Sequence, residues 1–249
     1  MLVLNKEVGE SLRRDKYVNV KSSDFNLFGH FSDFVRLTRS WENMEPDSYY
    51  GQAEAGNRYR RYSDFVYNPV TRELTQLEHR AYVQSKANNS YVGAMVRHFQ
   101  DFSNEVINSP IIRSLIDTDF DVYKNVLPPE LHDEIWQCQI HQIRIEIKPG
   151  KQLEITPEGI HCDGYPFSGV HFWGRNNVEG AESRLYSAHE QEHLASTTYT
   201  DILDTTYFLD RDMRHYVTPA RNTHSHNMAY RQILAISFSR PGTAFDIVR

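Results

Sequence analysis

The sequence predicts a mainly β protein with helical additions, in the α+β class, built on a double-stranded β-helix or jelly roll. Three observations lead to this fold. The hydrophobic period becomes two after about residue 134, where Ile143, Ile145 and Ile147 alternate with polar side chains. Further short strand-like runs follow without long helices between them. Among antiparallel architectures, a jelly roll also encloses a pocket at one end of its two sheets.

The predicted strands of the core are short and are separated by polar or glycine-containing turns. They cover residues 136–147, 169–174, 183–187, 204–210, 214–219 and 230–239. We expect one domain over residues 1–249, in which residues 131–242 form the jelly-roll core. Residues 1–130 mix helices and strands and are expected to pack on that core.

The N-terminal part contains three local signals. Residues 16–25 indicate a short strand and then a helix start, capped by a residue of 22–24. The Asn68–Pro69 pair predicts the turn of a hairpin. The stretch around Ser109 is typical of two consecutive helices, with Ser109 capping the second helix and Pro110 in its first turn.

Composition argues against several classes of function. With 27 basic and 33 acidic residues, the net charge of -6 gives no general attraction to nucleic acid phosphates or anionic lipid. The apolar run at the N-terminus ends after four residues, which is too short for a signal peptide or a membrane span. We therefore expect a cytoplasmic protein with a small-molecule partner, and neither nucleic acid nor membrane as a partner. The oligomeric state is open, with a homodimer as one option.

A metal-ligand pattern is formed by His161, Asp163 and His215. His161 and Asp163 are two residues apart, so on an extended strand end they face the same side. His215 adds a second imidazole from a later strand. Two histidines and one carboxylate on one face of an octahedral iron leave the opposite face open for a bidentate 2-oxoacid and O2. This ligand set suits Fe(II), whereas a structural zinc site is normally closed by its protein ligands.

A site of this kind also requires a cation for the distal carboxylate of 2-oxoglutarate. Arg231 follows His215 by 16 residues and lies at the start of the apolar strand 230–239. Its guanidinium fork matches a carboxylate bidentately, and a strand beside that of His215 would bring it into the pocket. We predict that Arg231 anchors the co-substrate.

Two other histidine patterns compete with this assignment. His189 and His193 lie in an HExxH pattern, which is typical of a metalloprotease zinc helix. The third ligand is missing downstream, and the Ser/Thr run that begins at Ser196 favours strand or loop, so we predict a charged loop without catalytic zinc. His224 and His226 could replace His215 as a ligand, but their polar surroundings indicate a turn.

With these motifs the sequence resembles the bacterial 2OG-Fe dioxygenase family that includes L-isoleucine 4-hydroxylase-type free amino acid hydroxylases. The matching stretches extend from about residue 58 to residue 239 and include RYRRYSDFVY, IHQIRIE, EGIHCDGYPFSGVHFWGRNNVEG, RHYVTP and YRQILAISFS. The resemblance implies a jelly-roll fold, the cofactors Fe(II), 2-oxoglutarate and O2, and C–H hydroxylation of an amino acid. It also implies that His161, Asp163 and His215 bind the metal and that Arg231 binds the co-substrate.

One position departs from the pattern of related oxygenases. Some of them place a serine two residues after the anchoring arginine, and here Ile233 occupies that position. The usual hydroxyl partner of the arginine is therefore missing. Thr218, Tyr165 and Gln142 are the candidates to assist Arg231 in binding 2-oxoglutarate.

The predicted substrate is a free, mostly aliphatic L-amino acid, which needs a cation for its carboxylate. Arg144 and Arg97 are candidates for that cation, Tyr62 and Trp173 are candidate walls of the pocket, and Tyr165 is a further candidate for substrate binding. Surface salt bridges are the competing explanation for each arginine, because charged side chains usually lie in water. Two other functions remain open: a dioxygenase acting on a larger or carrier-bound natural-product intermediate, and a non-catalytic jelly-roll protein for binding or stress.

Overall fold

A computed structural model describes residues 2–26, 31–51, 53–189 and 192–248 of the protein. The α-helices are α1 (Gly9–Asp15), α2 (Phe31–Arg39), α3 (Asn104–Ile107) and α4 (Pro110–Lys124). Single 3-10 turns occur at Ser22–Asp24, Ser48–Tyr50, Pro129–Leu131 and Asp210–Asp212. None of the described helices is long and apolar enough to cross a membrane.

The strands are more numerous than the helices in the described residues. They are β1 (Val3–Leu4), β2 (Tyr17–Val20), β3 (Phe25–Asn26), β4 (Gly56–Asn68), β5 (Glu73–Gln76), β6 (Trp136–Ile147), β7 (Gln152–Leu153), β8 (Phe167–Asn176), β9 (Val178–Gly180), β10 (Ser183–Ser187), β11 (His193–Thr197), β12 (Thr205–Phe208), β13 (Met213–Val217), β14 (Ala220–Asn222) and β15 (Ala229–Ser239). The six strands predicted for the core are all present, with ends shifted by up to two residues.

The strands form one large sheet and smaller ones that face it. The large sheet has the order β2-β12-β8-β15-β6-β4-β5, and its pairings are antiparallel. A small sheet has the order β11-β10-β13, and a third has the order β7-β14-β9. Side chains of the large sheet and of β10 and β13 line one cavity. This arrangement confirms the predicted mainly β fold with a jelly-roll core.

The two faces of the large sheet have different surroundings. Strand pairing places Ile145 of β6 between Arg58 of β4 and Arg231 of β15. These three residues line the cavity, so we call their side the cavity face. Because side chains alternate along a strand, Gln142 and Arg144 of β6 point to the other side, which we call the helix-covered face.

Helices α2 and α4 pack on the helix-covered face. The apolar side of α4, including Ile111, Leu115 and Phe120, belongs to the same buried cluster as Ile140 and Ile236 of the large sheet. Each of these residues, when fully buried, adds about 1.5–3 kcal/mol to stability. This packing holds in place the strands that carry the cavity residues.

Three strands from the N-terminal half, β2, β4 and β5, belong to the large sheet. Residues 1–130 therefore contribute strands to the large sheet itself, as well as helices that pack on it. The β4–β6 pairing joins Tyr62 to His141. Residues so distant in the sequence leave no local signal of their pairing.

The local predictions for the N-terminal half have different outcomes. The hairpin is confirmed, since β4 and β5 pair across a turn that follows Asn68, whose Oδ1 accepts a hydrogen bond from the amide of Val70 at 3.0 Å. The two consecutive helices are α3 and α4, with Ser109 at the N-cap position and Pro110 first in α4. The helix expected after β2 is only the 3-10 turn at Ser22–Asp24, because the backbone returns to the strand β3 directly.

Candidate metal centre

The fold brings the two predicted histidine ligands together through a backbone bridge. His161 pairs with His215 of β13, with amide-to-carbonyl distances of 3.1 Å and 2.8 Å. Their ring centroids lie 4.2 Å apart. Asp163 follows two residues after His161, and the three residues offer ligand atoms that all lie within 4.8 Å of one another. The structure thus places the predicted triad in one cluster.

A hydrogen bond at His161 and a carboxylate contact at His215 orient the two imidazoles so that Nε2 of each ring faces the centre. Nδ1 of His161 lies 2.9 Å from the carbonyl oxygen of Gly159, to which it donates. Nδ1 of His215 lies 3.4 Å from Oδ1 of Asp210. Both Nε2 atoms then keep a lone pair for a metal, which is the usual role of a partner behind a ligating histidine.

The third ligand is held by residues that the sequence did not reveal. Nε2 of Gln84 donates to Oδ1 of Asp163 at 2.6 Å, while Oδ2 of Asp163 lies 3.6 Å from Nε2 of His215. The carboxylate of Asp210 accepts hydrogen bonds from the backbone amides of 163–165 at 2.6 to 3.1 Å. Asp210 therefore fixes the turn after His161 as well as His215.

The charges of the cluster are strongly coupled. Burial and the neighbouring His215 lower the pKa of His161. Burial alone would lower the pKa of His215, but Asp210 and Asp163 raise it. Burial alone would raise the pKa of Asp163, but His215 and His161 lower it. A carboxylate that stays ionised beside two imidazoles is a suitable site for a divalent cation.

This donor set fits Fe(II). Two imidazole nitrogens and one carboxylate oxygen converge from one side, as in the facial triads of non-haem iron oxygenases. The cavity lies on the open side of the cluster, and it is lined by all three residues. A metal bound there would keep positions for other ligands.

Arg231 lies on the cavity face with few partners. It is 4% exposed, its Nη2 lies 3.4 Å from Oγ of Ser183, and its guanidinium lies 5.8 Å from the ring centroid of Tyr199. Within the described ranges it forms no salt bridge with a carboxylate, and burial lowers its pKa to about 10. A buried guanidinium without an anion is unfavourable, so this position fits the carboxylate of a ligand.

The hydroxyl that is missing beside Arg231 in the sequence comes from the facing sheet. Ser183 begins β10 of the small sheet and places its hydroxyl beside Arg231, whereas Ile233 stands two residues after Arg231. Ser183 and Tyr199 were not predicted, because only the packing of the two sheets brings them to Arg231. Thr218 does not line the cavity, and its hydroxyl accepts from the amide of Glu182 at 2.9 Å.

Three predicted site residues lie on the helix-covered face, and those predictions were wrong. Gln142 accepts from Arg61 at 2.9 Å and donates to Ser40 at 2.7 Å, so it cannot assist Arg231. Arg144 forms a 2.8 Å salt bridge with Glu146, as the competing explanation held. Trp173 is 1% exposed and stacks on Trp41 at 5.0 Å. Strand alternation turns each of these side chains away from the cavity.

Two other predicted substrate residues lie close to the metal cluster. Tyr165 lines the cavity and is 3% exposed. No hydrogen bond or ring contact joins it to Arg231 in the described structure, so it belongs to the metal end of the cavity. Arg97 is fully buried behind the cavity wall, where its Nη2 donates to Oε1 of Gln84 at 2.6 Å. It reaches Asp163 only through Gln84, and it does not line the cavity.

The competing histidines are outside the cluster. His224 and His226 lie between β14 and β15, and the amide of His226 donates to Nδ1 of His224 at 3.0 Å. His193 begins strand β11, and its Nε2 lies 2.9 Å from Oγ of Ser196. His189 is in a turn, and residues 190 and 191 of the predicted loop lie outside the described residues. The strand at His193 does not provide the helix that an HExxH zinc site needs.

Comparison with known proteins identifies the family. The profile of the family described as 2OG-Fe dioxygenase matches residues 38–237. The curated 3(1)-hydroxy-L-isoleucine 4-dioxygenase of Pantoea ananatis (strain AJ13355) is 24% identical over 228 residues, which are 88% of each protein. A solved BsmA homologue from Methylobium petroleophilum PM1 is 25% identical, with a TM-score of 0.79 over 94% of this protein and 92% of the other.

The solved structure of IDO from Bacillus thuringiensis shows the same fold at 20% identity, with a TM-score of 0.76 over 93% of this protein and 96% of the other. The family profile covers most of the sequence and contains the whole metal cluster and Arg231. The protein therefore belongs to the 2OG-Fe dioxygenase family, whose enzymes use Fe(II), 2-oxoglutarate and O2.

Proposed function

We propose that this dioxygenase hydroxylates a C–H bond in the side chain of a free, mostly aliphatic L-amino acid. In this proposal His161, Asp163 and His215 hold Fe(II), and Arg231 binds the distal carboxylate of 2-oxoglutarate. One observation carries the proposal. Three convergent ligand atoms and a buried arginine that lacks a carboxylate partner among the described residues line the same cavity.

Fe(II) held by His161, Asp163 and His215 would couple the oxidation of 2-oxoglutarate by O2 to hydroxylation of the substrate, so that one oxygen atom ends in succinate, CO2 is released and the other oxygen atom enters the substrate C–H bond. The protein supplies position and environment. Arg231, with Ser183 and Tyr199 beside it, orients the co-substrate through its distal carboxylate. Ile143 and Ile233 add apolar wall to the cavity, which excludes water from the reacting groups.

Two observations support an amino acid as the substrate. The cavity has apolar walls and also charged side chains of both signs, which suits a molecule with an aliphatic side chain and a zwitterionic headgroup. The Pantoea ananatis relative carries a hydroxylated L-isoleucine in its name. At 24% identity the relative indicates the substrate class and leaves the individual amino acid open.

The test measures consumption of 2-oxoglutarate with Fe(II) and each proteinogenic L-amino acid, together with the mass of the product. We expect several of leucine, isoleucine, methionine and valine to stimulate turnover and gain one oxygen, which in methionine can enter at sulfur. Activity on several is expected because one methylene changes binding in an apolar pocket by only about 1–3 kcal/mol.

The negative outcomes of this test separate the parts of the proposal. If iron and 2-oxoglutarate bind but no free amino acid is oxidised, the substrate is wrong and a larger or carrier-bound intermediate becomes the next candidate. If 2-oxoglutarate does not bind the iron-loaded protein, the roles given to the triad and Arg231 are wrong.

A further inference from the structure

We propose that one end of the cavity binds the charged headgroup of a free α-amino acid, with Glu158 accepting from its ammonium group and Arg60 and His141 donating to its carboxylate. This headgroup site rests on the proposed function, from which it takes the substrate class. It goes further, because it requires both charged groups of the substrate to be free.

Glu158 is a buried carboxylate with an unused oxygen. Its side chain is 6% exposed. Its Oε1 lies 3.4 Å from both Oη of Tyr50 and Nδ2 of Asn89, and Oε2 is buried with no hydrogen-bond partner. Among the described residues, Glu158 makes no ion pair with lysine or arginine. Leaving a buried carboxylate oxygen unpaired is costly, and an ammonium group would satisfy it.

Arg60 is a buried cation that lines the same cavity as this carboxylate. It is 9% exposed, and its Nε and Nη2 lie 3.2 Å and 3.0 Å from Nδ1 of His141. Its guanidinium lies 4.7 Å from the ring centroid of Phe99 and 5.3 Å from that of Tyr82. Within the described part of the protein it has no carboxylate partner, so the N–H groups that do not point at His141, on Nη1 and Nη2, remain available to an anion.

His141 adds a neutral donor next to Arg60. Because its Nδ1 accepts from the guanidinium, its own proton is on Nε2. That Nε2 is buried and has no hydrogen-bond partner in the described structure. Burial, and then Arg60 and Arg97, keep the pKa of His141 well below its usual value. The imidazole is therefore neutral, and the free N–H is a donor for a carboxylate oxygen.

The two halves of the headgroup site are close to each other and to the metal cluster. Oη of Tyr50 donates to Glu158, and its ring lies 4.3 Å from the guanidinium carbon of Arg58. Nη1 of Arg97 donates to the same Oη at 3.4 Å, and both Arg97 and Arg60 lie over the ring of Tyr82. Oε1 of Glu158 also lies 3.7 Å from Nε2 of His161. A headgroup bound here would therefore direct its side chain from beside the metal into the cavity.

The chemistry of the site restricts the substrate. An amide or thioester at the carboxyl group removes the negative charge that Arg60 would bind, and acylation removes the positive charge that Glu158 would bind. Residues inside a peptide and carrier-bound aminoacyl groups are thus excluded. The reaction that supplies the substrate must release a free amino acid.

The test titrates iron-loaded protein with 2-oxoglutarate present and O2 absent, so that ligands bind without being consumed. The probes are L-leucine, L-isoleucine, L-methionine and L-valine. Two leucine analogues each lack one charge: 2-hydroxy-4-methylpentanoate has no ammonium group, and L-leucinamide has no carboxylate. We expect the tightest-binding amino acid to bind the wild-type protein at least about tenfold more tightly than the matching analogues.

Two variants should give a crossed pattern. Glu158→Gln should weaken amino acid binding by at least about tenfold but leave the hydroxy acid unchanged. Arg60→Gln should weaken amino acid binding but leave the amide unchanged. Glu179→Gln and Arg144→Gln are the controls, because they remove the same charges at an exposed position and on the helix-covered face. Iron content and melting temperature are measured for every variant.

Several outcomes would overturn the headgroup site. The first is that none of the four amino acids binds. The second is that the wild-type protein binds the amino acid and its analogues equally tightly. The third is that Glu158→Gln weakens the binding of the amino acid and of the hydroxy acid by the same factor. If Glu158→Gln loses iron through its contact with His161, the wild-type analogues and Arg60→Gln still decide. A crossed pattern without oxygen incorporation would keep the site and remove the proposed hydroxylation. Hydroxylation of a free amino acid with an unchanged KM in both variants would keep the proposed hydroxylation and remove the headgroup site.

Discussion

The two faces of the large sheet hold their charged groups in opposite states. On the helix-covered face, Arg144 pairs with Glu146 at 2.8 Å, and the buried Asp119 contacts His171 at 2.8 Å. On the cavity face, Arg60 and Arg231 are also buried, but neither has a carboxylate partner among the described residues. A buried charge without a partner costs stability. Arg61 on the helix-covered face also lacks a carboxylate partner, but its guanidinium donates to four protein oxygens. The faces therefore differ in whether protein groups satisfy the buried charge, because Arg60 and Arg231 keep donors for a ligand.

The largest effect on activity is expected from the metal cluster, which lines the cavity. His215→Ala removes one of two imidazoles and should abolish both tight iron binding and 2-oxoglutarate consumption. Iron stoichiometry and succinate release measure these effects. The matched control is His224→Ala in the turn before β15, which should retain both. Normal iron binding in His215→Ala with loss in His224→Ala would show that the ligand assignment is wrong.

A smaller but still large effect is expected at Arg231. Arg231→Gln removes a charge-assisted bidentate pair, which is worth about 2–5 kcal/mol, and should raise the KM for 2-oxoglutarate by about 30-fold to several thousand-fold. Iron content should stay normal. Without 2-oxoglutarate, the variant should be at least as stable as the wild-type protein, because the unpaired guanidinium is lost from the interior.

Arg144→Gln is the control for this prediction, since it changes the same residue type on the other face of the same sheet. It should leave the KM for 2-oxoglutarate unchanged. Arg231→Lys keeps the charge but loses the planar fork, so its KM should lie between those of wild type and Arg231→Gln. A KM unaffected by Arg231→Gln would remove the residue from the co-substrate site.

The sequence predicted those parts of the site that have a short-range signal. The spacing of His161 and Asp163, the strand context of His215 and the two-residue period of β6 are all local, and the structure brings the three residues together. The period of β6 also separated Ile143 from Arg144 correctly. The period did not show which side of β6 faces the cavity. The structure shows that the apolar side does, since Ile145 pairs with Arg231 and both residues line the cavity.

The other parts of the site depend on contacts that leave no local pattern. Ser183 reaches Arg231 because two sheets pack face to face, and Arg60 enters the site because β4 pairs with β6. Gln84 approaches Asp163 from a segment without regular structure. Glu158 is different, since it precedes His161 by only three residues. Its position beside the motif was a signal that could have been used.

The smallest effect on activity, with a large effect on stability, is expected on the helix-covered face. Asp119 of α4 is fully buried; its Oδ2 contacts Nε2 of His171, and its Oδ1 accepts from Oη of Tyr207 at 2.8 Å. Asp119→Ala leaves both partners unsatisfied inside the protein. Removing one partner of a buried polar pair costs about 3–5 kcal/mol.

For a protein of this size each kcal/mol lowers Tm by about 2–4 °C, so Asp119→Ala should melt well below the wild-type protein. The matched control is Asp121→Ala, two residues further along α4, where the carboxylate is half exposed and its pair with Arg72 is worth at most about 1 kcal/mol. The KM for 2-oxoglutarate, measured on the folded fraction below the melting transition, should be unchanged in both variants.

A raised KM in Asp119→Ala would mean that the two faces are coupled through β8, whose His171 and Val170 point to opposite sides of the sheet. In that case the charged groups on the helix-covered face would affect ligand binding as well as stability, and the proposed difference between the two faces would not hold.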